Sequence, residues 1–481
     1  MTQGHSTTLR WTLGASLQFT MLTIDQGVGT VTAGGGQVVT PSQTATYALT
    51  AWQGNRELAR AEVLVTVVPL PTILGFAAIP PAINAGASAS LTAVFADGEG
   101  AIDNGIGSVR SGIAARTGGL QASTTYTLTV TNPAGDSSAA QAVVTVIQPP
   151  GLFTATGSMK LRRDHHTATL LPNGEVLVVG EDSPDPAELY DPATGRFADT
   201  TTTDRELHTA TLLSNGKVLI AGGHDAWGVW PRAAELYDPA SGTFTATGAM
   251  TTGRGYHTAT LLPSGKVLIA GGGDPDVTSL ASAELFDPTS GTFTATGAMT
   301  VARQWHTATL LPNGKVLIAG GTTYHGPTLS SAELYDPTNG TFTATGAMSS
   351  ARFDHSATLL PSGKVLIAGG TDNRDCFSST ELYDHASGTF VTTGAMTAGR
   401  ILHTATLLLN GKVLIAGGLA NVEILSSAEV YDPVGGTFTP TGTMTAARYD
   451  HTATLLPSGK VLVAGGDGNA GSFLASAEIY Y

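Results

Sequence analysis

The chain of 481 residues holds one cysteine, Cys376, which excludes an intrachain disulfide, a cysteine-based metal knuckle and a Cys-x-x-Cys redox pair. Charge is scarce: Asp, Glu, Lys and Arg make up 12% of the residues, against about 25% in ordinary domains. The 23 Lys and Arg never gather into a patch, and the net charge is −14, so no nucleic-acid partner is expected. A membrane span is also not expected. Val63 to Ala96 carries no formal charge, but Pro69, Pro71, Pro80 and Pro81 would break a helix there. The opening residues, Met1 to Ser6, lack the basic stretch and apolar run of a signal peptide. Neither a Gly-x-Ser-x-Gly elbow, a Walker loop nor a zinc motif is present. Asp372-Asn373-Arg374-Asp375 lacks the dense oxygen set that Ca²⁺ needs and reads as a solvated loop.

Glycine, by contrast, is abundant, with 60 residues, and suits short strands joined by tight turns. Two systems of internal repeats account for it. In residues 1 to 148, Ile24-Asp25-Gln26-Gly27-Val28-Gly29 recurs as Ile102-Asp103-Asn104-Gly105-Ile106-Gly107, and Thr46-Tyr47-Ala48-Leu49-Thr50 recurs as Thr125-Tyr126-Thr127-Leu128-Thr129. Each copy closes on a strand of period two, Ala61–Val67 and Gln141–Val146. Two small β-sandwiches are expected, at 1–69 and 70–148. They resemble the immunoglobulin-like modules of bacterial surface and secreted proteins. Copy one has nothing to match Pro71 to Ala85, so Met1 is not expected to be the natural start of the folding unit, and an export signal is expected upstream.

From residue 149 onward one block recurs: His-Thr-Ala-Thr-Leu-Leu-Pro-x-Gly-Lys-Val-Leu-Ile-Ala-Gly-Gly, a variable loop, Ser-Ala-Glu-Leu-Tyr-Asp-Pro, then Gly-Thr-Phe-Thr-Ala-Thr-Gly-Ala-Met. Its histidines are His166, His208, His257, His306, His355, His403 and His451. Each unit holds four strand-length segments, A to D, separated by turn signals, which is the composition of a propeller blade. The segment at 151–159 is a D strand without its A, B and C, and the chain stops after a C strand, so this segment is expected to complete the seventh unit.

These units resemble the kelch family, in the glycine doublets Gly222-Gly223, Gly271-Gly272, Gly320-Gly321, Gly369-Gly370, Gly417-Gly418 and Gly465-Gly466 and in the strand-C Tyr. Unit one departs with Gly180-Glu181, and Phe replaces the family's strand-D Trp. The resemblance implies an all-β fold, a seven-bladed propeller over 149–481, most similar to the galactose-oxidase type. That type holds copper with two Tyr and two His, one Tyr being cross-linked to Cys. Arg254-Gly255-Tyr256 matches the motif of the cross-linked Tyr, and His403 or His451 that of one His ligand. Leu402 and Asp450 stand where the second Tyr belongs, no Cys lies near Leu207 in the preceding unit, and the family's remaining His lies in a C-terminal domain beyond the propeller. No cofactor and no metal are therefore expected.

Groups present in every unit read as framework: Arg163, Arg205, Arg254, Arg303, Arg352, Arg400 and Arg448 with the strand-C Glu residues, paired so as to tie neighbouring blades. Function is expected where the units differ, on the B–C loops and on the two residues between Arg and His. Trp227, Trp230, Tyr256, Trp305, Tyr324 and His325 fall there, with Asp225, Asp354 and Asp450 as acidic companions and Asp164 on the same rim. Flat rings beside carboxylates suit sugar rings. The expected role is a non-catalytic recognition or adhesion module of an exported bacterial protein, extracellular or at the cell surface, binding carbohydrate or a surface protein. An enzyme on the same face and a structural spacer are the other readings.

Overall fold

A computed structural model describes residues 1–14, 18–120, 123–147, 151–180, 186–202, 205–225, 229–274 and 278–481. The described residues are strands and turns with a single 3-10 turn at Asn469–Gly471 and no α-helix, and none of their helices could cross a membrane. Chain contacts divide it into two compact units, Met1–Pro149 and Pro150–Tyr481.

The N-terminal unit contains two strand assemblies of related plan. In the first, a four-stranded sheet (Gly29–Thr30, Met21–Ile24, Ala45–Gln53, Arg56–Val65) faces a pair, Thr7–Trp11 with Gly35–Val39, around Leu9, Ile24, Val39, Tyr47 and Val65. The second has five strands in one sheet and three in the other, around Leu91, Tyr126, Leu128, Val130 and Val144. Its strand Thr72–Ile79 is the one without a counterpart in the first. The repeated Ile-Asp motif has a shared physical role. Asp25 Oδ1 accepts the Ala48 N–H at 2.7 Å, and Asp103 Oδ1 accepts the Thr127 N–H at 2.8 Å, pinning each turn to the neighbouring strand.

In the C-terminal unit the repeats fold into seven four-stranded antiparallel sheets. The innermost strand of each sheet neighbours that of the next, and Thr452–Leu455 neighbours Thr167–Leu170, so the ring is closed. Strand B is apolar on both faces, as Val316–Ala319 shows with all four residues buried, because each sheet is sandwiched between two others. Across strands C and D, Tyr335 pairs with Phe342 with ring centroids 4.8 Å apart, and the same contact recurs in the other sheets. Neighbouring sheets are tied by Thr hydroxyls of one D strand to the next strand-C Tyr, for example Thr345 Oγ1 to Tyr383 Oη at 2.9 Å. The last sheet is completed by Phe153–Ala155, whose Phe153 registers with Tyr480.

The glycine doublet has a steric cause. Gly320 and Gly321 sit at φ +65° and +91°, and a Cβ on Gly321 would meet Gln304 O at 2.7 Å, so only glycine fits.

Candidate functional site

A repeated polar framework shapes one end of the ring. Arg303, fully buried, donates from Nη1 to the carbonyls of Gly320 and Ser331 and from Nη2 to Glu333 Oε1 at 2.9 Å. Glu333 also accepts the Thr300 N–H at 2.9 Å. The equivalent ion pairs recur in every unit. The expected tie between neighbouring blades takes a specific form here. Arg lies on the segment entering a sheet and Glu on strand C of that same sheet, so the pair fixes the crossover rather than bridging two finished sheets.

The seven repeat histidines form an inner belt. Each Nε2 meets a Thr or Ser hydroxyl of the preceding unit at 2.8–3.1 Å, and His166 meets Thr452 across the seam. Burial, then the charge of the Arg three residues earlier, lowers their pKa, to about 3 at His166, His208, His306 and His403. They are therefore neutral spacers.

The residue before each histidine is where the units differ: His165, Leu207, Tyr256, Trp305, Asp354, Leu402 and Asp450. All seven have left-handed backbone, φ +46° to +54°, a conformation that costs a non-glycine residue about 1 to 2 kcal/mol. Neighbours in this rim are linked by backbone, Trp305 N–H to Tyr256 O at 3.3 Å and Asp450 N–H to Leu402 O at 2.9 Å. The framework holds the conformation, and the side-chain type is left free to vary.

Two chemistries divide the rim. On one side aromatic rings follow one another: His224 to Trp230 at 5.8 Å, Trp230 to Tyr256 at 6.2 Å, Tyr256 to Trp305 at 4.7 Å and Trp305 to Phe353 at 5.8 Å. On the other are carboxylates. Asp354 and Asp450, with Trp305, Leu402 and four belt histidines, line a polar cavity of about 240 Å³. Burial, then the Asp450 charge, raises the Asp354 pKa to about 7. His165 Nδ1 meets Asp164 at 2.7 Å. Its Nε2 lies 2.7 Å from Asp450 Oδ2. The Tyr449 phenol is raised to about 12, first by burial and then by the Asp467 carboxylate.

Of the residues singled out from the sequence, the fold brings together Trp230, Tyr256, Trp305, Asp354 and Asp450. Trp227 lies outside the described residues. Asp225 Oδ1 accepts the Val229 N–H at 2.8 Å. Tyr324 and His325 are exposed, with ring centroids 4.0 Å apart and tilted by 59°, and make no ring contact to the arc among the described residues. His165, Phe353 and His224 belong to the rim and its arc but were not singled out. The signal for His165 and Phe353 was their place between Arg and His, where the repeat varies.

The opposite end of the ring is repetitive and charge-compensated. Lys217, Lys266, Lys315, Lys364 and Lys412 each pair with the Asp of the adjacent C–D turn, as Lys315 does with Asp336 at 3.0 Å.

The family model described as the KLHDC2/KLHL20/DRC7 Kelch-repeats domain matches residues 256–466, and the chain therefore carries a kelch-repeat domain. Among curated proteins none matches. Among solved structures, a novel fungal alcohol oxidase of the AA5 family, in complex with copper, is similar with a TM-score of 0.58 and 20% identity, over 69% of this chain and 76% of that one. At that identity the likeness shows a shared fold, a β-propeller. The copper donors that the likeness implies do not fit here. Leu402 and Asp450 hold no phenol, His403 Nε2 is engaged by Ser356 and His451 Nε2 by Thr404, and Cys376 Sγ accepts the Asn421 N–H at 3.2 Å. No group of three or more His, Cys, Asp or Glu among the described residues could hold a metal ion.

Proposed function

We propose that the C-terminal unit is a seven-bladed kelch propeller serving as a carbohydrate-recognition head, presented by two immunoglobulin-like modules in an exported, extracellular or cell-surface bacterial protein. The observation that carries this reading is the run of rings from Trp230 through Tyr256 to Trp305, which ends at the cavity lined by Asp354 and Asp450. Aromatic faces take the C–H faces of sugar rings, at about 0.5 to 1.5 kcal/mol per ring, while carboxylates take hydroxyls. The surrounding backbone is rigidly supported and the residues are diverse, the combination a scaffold needs to display a site. Catalysis by copper is disfavoured by the donor set.

A glycan array with the full chain tests the reading. Binding is expected for wild type, to be lost in Trp305→Ala with an unchanged melt, and retained in Lys315→Ala on the opposite end. Normal binding by Trp305→Ala, or silence of the array with folded wild type, would overturn it.

A further inference from the structure

We propose that the rim cavity receives a protonated amine, so that the carbohydrate bound there ends in a sugar bearing a free amino group. This rests on the carbohydrate reading above and adds the charge of the ligand to it.

His165 contacts Asp164 and Asp450 at 2.7 Å each and lies within electrostatic range of Asp354, which lines the cavity together with Asp450. The imidazole is committed between Asp164 and Asp450. The Asp354 carboxylate takes part in no hydrogen bond or ion pair among the described residues, whereas Asp450 Oδ2 is already paired with His165 Nε2 at 2.7 Å. The repeated lysines are already paired at the other end of the ring. One carboxylate, Asp354, thus lines the cavity without a cation of its own, and an uncompensated carboxylate there is costly. An ammonium group supplies three donors and the missing positive charge. A neutral hydroxyl supplies one donor and no charge.

The walls select an organic cation rather than a bare ion. Trp305 lines the cavity beside Asp354, and Tyr256 contacts Trp305 at 4.7 Å; such faces attract a cation through their quadrupole and also accept its attached carbons. The cavity, about 240 Å³, is smaller than the roughly 300 to 1,000 Å³ of sites for drug-sized ligands, and so admits a single terminal residue. The arc continues away from it to Trp230, giving flat platforms to the following sugar units. A lysine side chain would match the cavity but leave that arc without ring-shaped partners.

The test compares a glucosamine tetramer with its fully N-acetylated equivalent by calorimetric titration of the full chain at pH 7.5. The free amine is expected to bind about tenfold more tightly or better, the effect of a hydrogen bond to a charged partner. Asp354→Asn keeps the shape and is expected to abolish that preference, bringing the affinity for the amino tetramer down to that for the acetylated one. In the wild type, methylammonium chloride should displace the amino oligomer more effectively than sodium chloride at equal ionic strength, a readout that survives if the variant fails to fold. Equal affinity for the two tetramers, or preference for the acetylated one, would overturn the charge inference and leave carbohydrate recognition standing. Binding of neither would overturn both. Binding of a lysine pentapeptide and of neither tetramer would overturn the carbohydrate source.

Discussion

His165 and Asp450 face each other across the seam of the ring, Nε2 to Oδ2 at 2.7 Å, although one belongs to the first repeat and the other to the last. With Asp164 on its other nitrogen, His165 is clamped between two carboxylates. Burial alone would lower its pKa, but the carboxylates outweigh burial and lift it to about 10. A folded pKa above the unfolded value of 6.5 means that the clamp stabilises the fold fully below pH 6.5 and that the gain fades as pH rises through about 10.

The His165→Gln variant should accordingly melt a few degrees below wild type at pH 6, the clamp being partly exposed and screened. The difference should close above pH 10. A constant difference across that range, read by scanning calorimetry, would show that packing and not charge holds the seam.

The buried Arg303–Glu333 pair makes a sharper prediction. Both side chains are at most 1% exposed, so Glu333→Gln leaves a guanidinium stripped of its counter-charge and should cost about 3 to 5 kcal/mol. Lys315→Ala, breaking a pair exposed at the turns, should cost about 1 kcal/mol or less. Urea denaturation of the two variants measures both.

Most of this framework could be read in the chain because it is repeated. The Gly doublets, the strand-C Tyr and the Arg, His and Glu positions recur at fixed places, and a group required by the geometry of every sheet appears in every unit. The same logic marked the residues between Arg and His as variable and therefore worth attention. What the sequence could not supply was adjacency across the ring. Trp230 and Trp305 are linked through Tyr256 only because successive sheets bring their rims together, and His165 reaches Asp450 only because the ring closes. Asp225 illustrates the converse: an acidic residue in a diverged segment reads as a ligand contact, whereas its Oδ1 accepts the Val229 N–H.

Closure itself can be measured. Phe153 is 4% exposed and its ring lies 4.9 Å from that of Tyr480, where the strand Phe153–Ala155 completes the last sheet. Replacing it by Ala should cost about 3 to 5 kcal/mol and expose a strand edge. The variant should melt well below wild type and aggregate on heating. An unchanged melt would mean that this strand contributes nothing to the seam.

Copper provides a separate check on the donor set. Titration of the purified chain with Cu²⁺ should show no tight stoichiometric binding, since His403 and His451 spend their Nε2 atoms on Ser356 and Thr404. One tightly held copper per chain, lost in His451→Ala, would contradict that reading.

Opposite pH slopes should separate the belt from the rim. Belt histidines with folded pKa near 3 are neutral in the fold but protonated when unfolded below pH 6.5, so the unfolded chain binds more protons and stability must fall as pH drops from 6.5 towards 3. Asp354 acts in the other direction. Its pKa of about 7 lies above the usual 3.8, so the folded chain binds the extra proton and its contribution falls as pH rises from about 4 to 7. The groups facing it are Asp450 and His165, with Trp305 and the neutral His306, His355, His403 and His451 lining the same cavity. Asp354→Asn removes this loss and should raise the melting temperature at pH 8 while leaving it unchanged at pH 3.5. His306→Gln should instead flatten the acid limb between pH 3 and 6.5. If Asp354→Asn gave the same shift at both pH values, the carboxyl would not be titrating in the cavity, and the effect would belong to the packing beside Trp305.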